Sequence, residues 1–435
     1  MQKRPLGFWS VWALAVGTMI GSGVLLVPAS LAPFGLLSMG GWVLGATGAS
    51  AIIFVFARLA GRTRRDGGPY VYVQEAFGDV AGFAIAWLYW VSFWASIPVV
   101  AITFAGYLSV FVPALAHNMM AQAASALTLI AVLTFVNIRG LKEMSVVQIV
   151  MTLLKIVPLV AIVGAALLFG TPQNLPPFNP SQQPLLPQLA AVTLITLWPF
   201  TGFEAAVSSA GSIRDPERTI PRALTAAVIL VAVIYLCASF AVMLLLTPEQ
   251  LAHSEAPFAD AAAALGAWGP SLIAAGALVA TAGSLNGIIF ACGQMPMAVA
   301  GDGRAPAWMA KLNKGGAPYL SLLISAALGA FLLLMNYSRG LVGAYTFMLQ
   351  MATATSLVYY FFCVLAEIKH SWRTARIRTL VALFAALYCG FAMIGSGYQA
   401  LLWSGVLTLA GVPVYFLCRP AQVGRLRAST AEKVR

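Results

Sequence analysis

Charged residues are scarce in this sequence. Lys, Arg, Asp and Glu together make up 9% of the 435 residues, whereas hydrophobic residues make up 60% and the mean hydropathy is +0.88. Soluble globular domains carry about 25% charged residues. The composition therefore excludes an ordinary soluble protein and predicts an integral membrane protein with many apolar helices.

The longest uncharged stretch lies near the N-terminus, where no Lys, Arg, Asp or Glu occurs from Pro5 to Ala57. A membrane-spanning helix needs about 20 apolar residues, so this stretch holds two helices joined by an uncharged turn and is too long for a cleaved signal peptide. Read in the same way, the whole chain predicts twelve spans, at residues 7–32, 37–60, 80–113, 123–138, 146–170, 188–211, 222–246, 268–299, 318–336, 341–366, 377–395 and 398–417.

Cysteine and histidine are also rare. The five cysteines lie in or at the ends of apolar segments without paired spacing, which indicates neither a disulfide framework nor a metal site. The three histidines stand alone in loops or at helix ends, where a solvated histidine is the ordinary case. No Ser/His/Asp set, HExxH motif or phosphate-binding loop can be assembled. The sequence thus argues against an enzyme and predicts no cofactor.

Positive charge is distributed on one side of the predicted spans. If both termini are cytoplasmic, the outside loops keep only Arg339 among the 25 Lys and Arg residues, and Lys155 falls inside a span. This is the positive-inside rule, and it accounts for the net charge of +12 without a nucleic-acid partner. The sequence predicts a multi-pass protein with both termini in the cytoplasm, and the compact chain without long tails suits a bacterial inner membrane.

Two of the predicted spans carry helix-breaking features. In the sixth span, Glu204 follows Pro199 and Gly202, and an intramembrane carboxylate marks a functional site by default. The first span contains Gly21-Ser22-Gly23, which predicts a break there, although close helix packing is an alternative reading of small residues. Interruptions five spans apart indicate an inverted-repeat transporter. The N–H and C=O groups freed by such breaks suit the carboxylate and ammonium of an amino acid.

These segments resemble the amino acid–polyamine–organocation superfamily, and within it the basic amino acid/polyamine antiporters of the arginine/agmatine type. The similarity runs over nearly the whole chain. It is carried by Gly21-Ser22-Gly23-Val24, Gly67-Gly68-Pro69-Tyr70-Val71-Tyr72, Leu88-Tyr89-Trp90, Leu197-Trp198 with Phe200, Gly202 and Glu204, Asp215-Pro216-Glu217-Arg218, Gly283-Ser284-Leu285 and Asn313-Lys314.

The resemblance implies an all-α integral membrane fold of twelve transmembrane helices, built as a five-plus-five inverted repeat (LeuT-like) with discontinuous helices one and six. The first repeat would cover residues 1–170 and the second 188–366, followed by two further helices and a basic cytoplasmic tail at 367–435. Relatives occur as dimers and as monomers, so a homodimer stays open.

The resemblance also implies a site for a small amino acid or amine. The backbone of Gly21–Gly23 would take the carboxylate, carbonyls near Met19 and Trp198 the ammonium, and Trp198 would close the outer side. The implied substrate-binding residues are Met19, Gly21, Ser22, Gly23, Ser92, Phe93, Ile97, Trp198, Thr201 and Ile288. The implied inner gate consists of Tyr70, Tyr89, Glu204 and Tyr360, with Glu204 as a candidate pH sensor.

Three positions depart from the arginine/agmatine type. Ile288 replaces a stacking tryptophan and Ile97 an asparagine, which favours a substrate less polar than arginine. Lys155 lies in the fifth span, as in proton-coupled relatives, where it takes the place of a sodium ion between spans one, five and eight. Three readings stay open: a sodium-independent amino acid/amine antiporter, a symporter of protons and neutral amino acids that uses Lys155, and, ranked last, a receptor that does not transport.

Overall fold

A computed structural model describes residues 7–62, 68–116, 118–139, 145–208, 213–301, 303 and 305–416. Within these ranges the chain is helical and has no β-strand. Ten helices are long and apolar enough to cross a membrane, and two shorter apolar helices cover Lys155–Phe169 and Leu185–Phe200. The prediction of an all-helical, multi-pass membrane protein is confirmed. Gly67 of the first-loop motif, the N-terminal residues 1–6 and the predicted tail after residue 416 lie outside the described residues.

The helices follow the predicted spans closely. The first half of the chain forms α1 (Phe8–Met19), α2 (Ser22–Leu31), α3 (Leu37–Arg62), α4 (Pro69–Phe77), α5 (Asp79–Leu108), α6 (Met119–Arg139) and α7 (Ser145–Phe169). The second half forms α8 (Leu185–Leu197), α9 (Glu204–Ser208), α10 (Pro216–Leu245), α11 (Pro248–His253), α12 (Pro257–Ala261), α13 (Gly269–Gly301), α14 (Tyr319–Asn336), α15 (Leu341–Ser371), α16 (Arg376–Ile394) and α17 (Gly397–Leu409).

The first predicted break separates α1 from α2. Ile20 has φ −76° and ψ 95°, and Gly21 has φ −148° and ψ −139°, so both residues leave the helical region. Ser22 and Gly23 already belong to the first turn of α2. The break therefore lies slightly earlier than the predicted range, because the low helix propensity of glycine is a weak preference that packing overrides at Gly23.

The second break separates α8 from α9 and lies where the sequence predicts it. A short 3-10 turn at Trp198–Phe200 follows α8, and Thr201 is then extended with ψ 163°. Gly202 has φ +103°, a conformation that residues with a side chain rarely adopt, and α9 begins at Glu204. The chain is thus non-helical directly before the buried carboxylate.

The long helices pack as two groups. In the first group, α10 contacts α1 and α3, and α3 also contacts α8. In the second group, α5, α6, α13 and α14 all contact one another. Helix α7 contacts α1 and α10 of the first group and α13 of the second, while α15 contacts α3 and α8 of the first and α5 of the second. The two groups are therefore joined by two connecting helices, and the interrupted helices belong to the first group.

The two ends of the bundle differ in charge. At the end that we call the basic end, Arg62 pairs with Glu367 and a Cβ on Gly61 would lie 3.3 Å from Glu217 Cα. At the opposite end, a Cβ on Gly106 would lie 2.4 Å from the carbonyl oxygen of Glu255. Helix α6 runs from this opposite end, where Gln122 Nε2 donates to Glu255 Oε2 at 2.6 Å, to Arg139 at the basic end. The basic end carries Arg58, Arg62, Arg139, Arg218 and Lys369.

Candidate functional site

The two helix breaks touch each other. A Cβ on Gly23 would lie 2.8 Å from Pro199 Cα, and a Cβ on Gly202 would lie 3.1 Å from the carbonyl oxygen of Thr18. The first distance is shorter than real Cβ contacts, so the backbones approach this closely only because Gly23 has no side chain. The interruptions of the first and sixth predicted spans therefore form one region.

Tyr235 of α10 joins the two breaks. Its hydroxyl lies 2.7 Å from the Met19 carbonyl oxygen and 3.2 Å from that of Pro199, to which it donates, and the side chain is fully buried. Tyr235 was not among the predicted site residues. A single tyrosine in an apolar span gives no local signal, since most such residues are packing or belt residues.

The carbonyls expected to bind an ammonium group already accept hydrogen bonds within the protein. Met19 O accepts from Tyr235, and Trp198 O accepts from the N–H and the hydroxyl of Thr201 at 3.0 and 2.7 Å. Because a carbonyl oxygen has two lone pairs, Met19 O keeps one further acceptor site. The structure thus places Trp198, Thr201 and Met19 at the breaks. The carbonyl oxygens of Met19 and Trp198 and the hydroxyl of Thr201 each already form hydrogen bonds within the protein.

Tyr235→Phe is expected to lower stability, because it removes only the hydroxyl that serves both breaks. Leaving a buried carbonyl without its donor costs about 1–3 kcal/mol, which lowers the midpoint of thermal unfolding by several degrees. Thermal unfolding of the purified protein in detergent measures this. Tyr398→Phe is the matched control, since Tyr398 is 79% exposed. Equal midpoints for the two variants would contradict a bridging role.

Glu204 lies 1% exposed at the start of α9 with both carboxylate oxygens bonded. Oε1 accepts from the hydroxyls of Tyr359, at 2.8 Å, and Tyr360. Oε2 accepts from the N–H of Gly202 at 2.7 Å. Three donors and the N-terminal end of a helix all favour a negative charge at this position. The buried carboxylate of Glu204 is therefore stabilised by neutral hydrogen-bond donors, two from α15 and one from the break itself.

The structure brings part of the predicted inner gate together. Tyr360 contacts Glu204 as predicted, whereas Tyr359 was missed. Successive helical residues point about 100° apart, so two adjacent tyrosines are not expected to bind one carboxylate. Tyr89 packs its ring on Tyr359 and on Phe93, with centroids 5.4 and 4.6 Å apart. Tyr70 is buried in α4, 4% exposed.

Lys155 is 4% exposed in α7 and connects three helices. Its Nζ donates to the Gly17 carbonyl oxygen at 2.9 Å and to Ser284 Oγ of α13 at 3.1 Å. In an unbroken helix, Gly17 O would accept from the N–H of Gly21, so the break frees the oxygen that Lys155 takes. The ammonium thus lies between the first, fifth and eighth predicted spans rather than reaching to the membrane surface.

The remaining predicted substrate residues divide between the breaks and the helix core. Gly21 lies against Ser284, since a Cβ there would come within 2.4 Å of Ser284 Oγ, and Ser22 begins α2. Ser92 Oγ donates to Tyr89 O within its own helix at 2.8 Å. Ile97 is fully buried beside Gly329 of α14. Phe93 and Ile288 are half-buried.

Comparison with known proteins gives consistent similarities over the chain. A family model described as "Amino acid permease" matches residues 6–414. The chain is 28% identical over 422 residues to the cadaverine/lysine antiporter of Escherichia coli (strain K12), covering 93% of both chains. It is 29% identical over 434 residues to a putative arginine/ornithine antiporter of Bacillus subtilis (strain 168), covering 90% of this chain and 92% of that one. It is 25% identical over 431 residues to the putrescine transporter PotE of Escherichia coli (strain K12), covering 96% and 97%.

Proposed function

Because this chain belongs to the amino acid permease family, we propose that it is a sodium-independent antiporter that exchanges an amino acid for an amine across a bacterial inner membrane. The observation that carries this proposal is the contact between two interrupted apolar helices beside the buried Glu204. Discontinuous helices that meet inside a membrane bundle suit a transported ion or zwitterion. The similar proteins named as lysine, ornithine and putrescine transporters support the substrate class.

The fold that goes with this function is the twelve-span inverted repeat. The ten long and two shorter apolar helices supply twelve candidates when both breaks are counted within their spans. The packing supports the repeat, since helices five predicted spans apart share a role: α3 and α10 lie in one group, α5 and α13 in the other, and α7 and α15 connect them. Residues 1–170 would form the first repeat and 188–366 the second, with the basic end and both termini in the cytoplasm.

The helix ends at the breaks support a substrate site there. The first N–H groups of α2, at Ser22 and Gly23, have no helical acceptor and attract a carboxylate. Trp198, only 6% exposed at the end of α8, offers an apolar face over the same region. The substrate carboxylate would bind at the start of α2, with Trp198 closing the site from the outer side.

The position of Lys155 supports sodium independence. Its ammonium group is held by two oxygen atoms, Gly17 O and Ser284 Oγ, between helices of both packing groups. A bound cation would serve such oxygens in the same way, so the built-in charge makes a sodium ion unnecessary.

A second candidate function is symport of protons with neutral amino acids. The hydrogen-bond partners of Lys155 in the described part of the chain are neutral, so loss of its proton leaves no buried carboxylate unpaired. The apolar, half-buried Ile288 fits a neutral side chain better than a guanidinium.

Counterflow in sodium-free proteoliposomes separates the two functions. Vesicles are loaded in turn with lysine, arginine, ornithine, cadaverine, putrescine, agmatine or neutral amino acids, with and without an inward proton gradient. We expect labelled lysine or arginine to enter only when an amino acid or amine is inside. Accumulation of neutral amino acids in empty vesicles under the proton gradient would favour symport. Protein-free vesicles are the control, and a lack of uptake under every condition would contradict both functions.

A further inference from the structure

A second buried carboxylate lies at the basic end of α15. Glu367 has a fully buried side chain and pairs with Arg62 of α3 at 3.1 Å, while the Arg62 side chain is 36% exposed. Its other oxygen, Oε1, has no hydrogen-bond partner among the described residues. Arg58 and Arg378 also lie close enough to attract this carboxylate. The pair therefore links a buried carboxylate to an arginine that water can reach, and only one of the two carboxylate oxygens has a hydrogen-bond partner among the described residues.

The pair lies on the same stretch of helix as the groups that hold Glu204. Glu367 follows Tyr360 by seven residues, about two helical turns or 10 Å. Between them, the Cys363 thiol lies 3.8 Å from the Pro69 carbonyl oxygen at the start of α4. Two residues after Glu367, Lys369 Nζ donates to Ala76 O at the end of α4 at 2.7 Å.

Through these contacts, one part of α15 holds three other helices at the basic end of the bundle. Residues 359–369 bind α9 through Glu204, α4 through Pro69 and Ala76, and α3 through Arg62. Helix α15 also connects the two packing groups. A displacement of its basic end would therefore release α3 and α4 and uncover the side of Glu204 that faces this end.

We propose that the Arg62–Glu367 ion pair is a latch that keeps the basic end of the bundle closed, a role that rests on the transport function proposed above. Oε1 is buried and has no donor among the described residues, so it carries a desolvation penalty that makes the closed state less stable than a fully bonded carboxylate would. The exposed Arg62 can exchange this partner for water. Such a pair holds the helices together and still opens during a transport cycle.

The native Cys363 reports opening of this latch. Its thiol is fully buried and lies against Pro69 O of α4, so separation of α15 from α4 exposes it to a reagent. The experiment measures the rate at which a membrane-impermeant maleimide labels Cys363 in inside-out membrane vesicles, with mass spectrometry identifying the labelled peptide. Cys292 of α13, also fully buried, is the internal control. The variants are Glu367→Gln, Arg62→Gln and, as a control, Arg339→Gln, which lies in the short turn before the opposite end of α15.

We expect both latch variants to label Cys363 about 3- to 30-fold faster than the wild type. Arg62 is partly exposed, so the effect should exceed the loss of an exposed ion pair and stay below the loss of a fully buried one. Labelling of Cys292 should stay unchanged, and Arg339→Gln should behave as the wild type. Unchanged labelling of Cys363, or equal acceleration at Cys292, would overturn the latch.

The labelling needs no substrate, so it separates the latch from the transport function. A wild-type protein that exchanges substrate while its latch variants label at the wild-type rate overturns the latch alone. A wild-type protein that exchanges none of the tested substrates overturns the proposed function.

Discussion

Glu204→Gln is expected to remove most of the pH dependence of exchange. In the wild type, the charged carboxylate accepts from Tyr359, Tyr360 and Gly202, which ties α9 to α15. Protonation removes the charge and converts one acceptor into a donor, so the tie weakens as the pH falls. Exchange by the wild type should therefore become faster with falling pH.

The glutamine variant is permanently neutral and presents its NH₂ group to groups that are themselves donors. It should exchange at a high rate that varies little with pH. A hydrogen bond to a charged group contributes about 1.5–3 kcal/mol against about 1 kcal/mol for a neutral one, so the wild-type rate should change by roughly 10-fold or more between the two protonation states.

Initial rates of counterflow between about pH 5 and pH 8 measure this effect. Carboxylates that are exposed to water stay largely charged over this pH range, so they contribute little to the change in rate. Glu249→Gln is the control, because Glu249 lies exposed in α11 at the opposite end of the bundle. If the Glu204→Gln protein binds substrate and keeps the wild-type pH slope, Glu204 is not the sensor.

Lys155→Met should reduce transport by roughly 10- to 1000-fold. Methionine fills a similar space but donates to neither Gly17 O nor Ser284 Oγ. A buried acceptor left without its donor costs about 1–3 kcal/mol, and two are affected here. These two hydrogen bonds join α7 to the interrupted helix α1 and to α13. We expect transport to depend on the relative positions of these three helices.

Exchange and proton-driven uptake are measured separately for this variant, together with its thermal unfolding in detergent. Loss of proton-driven uptake with surviving exchange assigns proton coupling to Lys155. Lys155→Arg, which keeps the charge and the donors, is the matched variant and should retain more activity than methionine. If Lys155→Met is as active as the wild type in both assays, the residue only fills space.

Hydropathy and composition were sufficient to place the helices. The apolar runs predicted the positions of α3, α5 and α10, and Gly21, Pro199 and Gly202 predicted the interruptions, because length, polarity and helix propensity are properties of a local segment. A carboxylate within an apolar, membrane-spanning segment is energetically unfavourable, which likewise identified Glu204 as a functional candidate. The resemblance of ordered motifs then indicated the family.

Pairs of residues far apart in the sequence could not be read in this way. Glu204 and Tyr359 are 155 positions apart, Lys155 and Gly17 are 138 apart, and Tyr235 and Met19 are 216 apart. Nothing in their spacing couples them, since each lies on a different helix whose rotation and depth are set by packing against its neighbours.

Local sequence thus determined which segments cross the membrane, where two of them break and that Glu204 and Lys155 are buried. The tertiary structure decided which donors hold Glu204 and Lys155, that Tyr235 serves both breaks and that Arg62 meets Glu367. The physical reason is that a buried polar group must find a partner wherever the packed helices present one, and that position depends on the whole bundle rather than on the residues beside it.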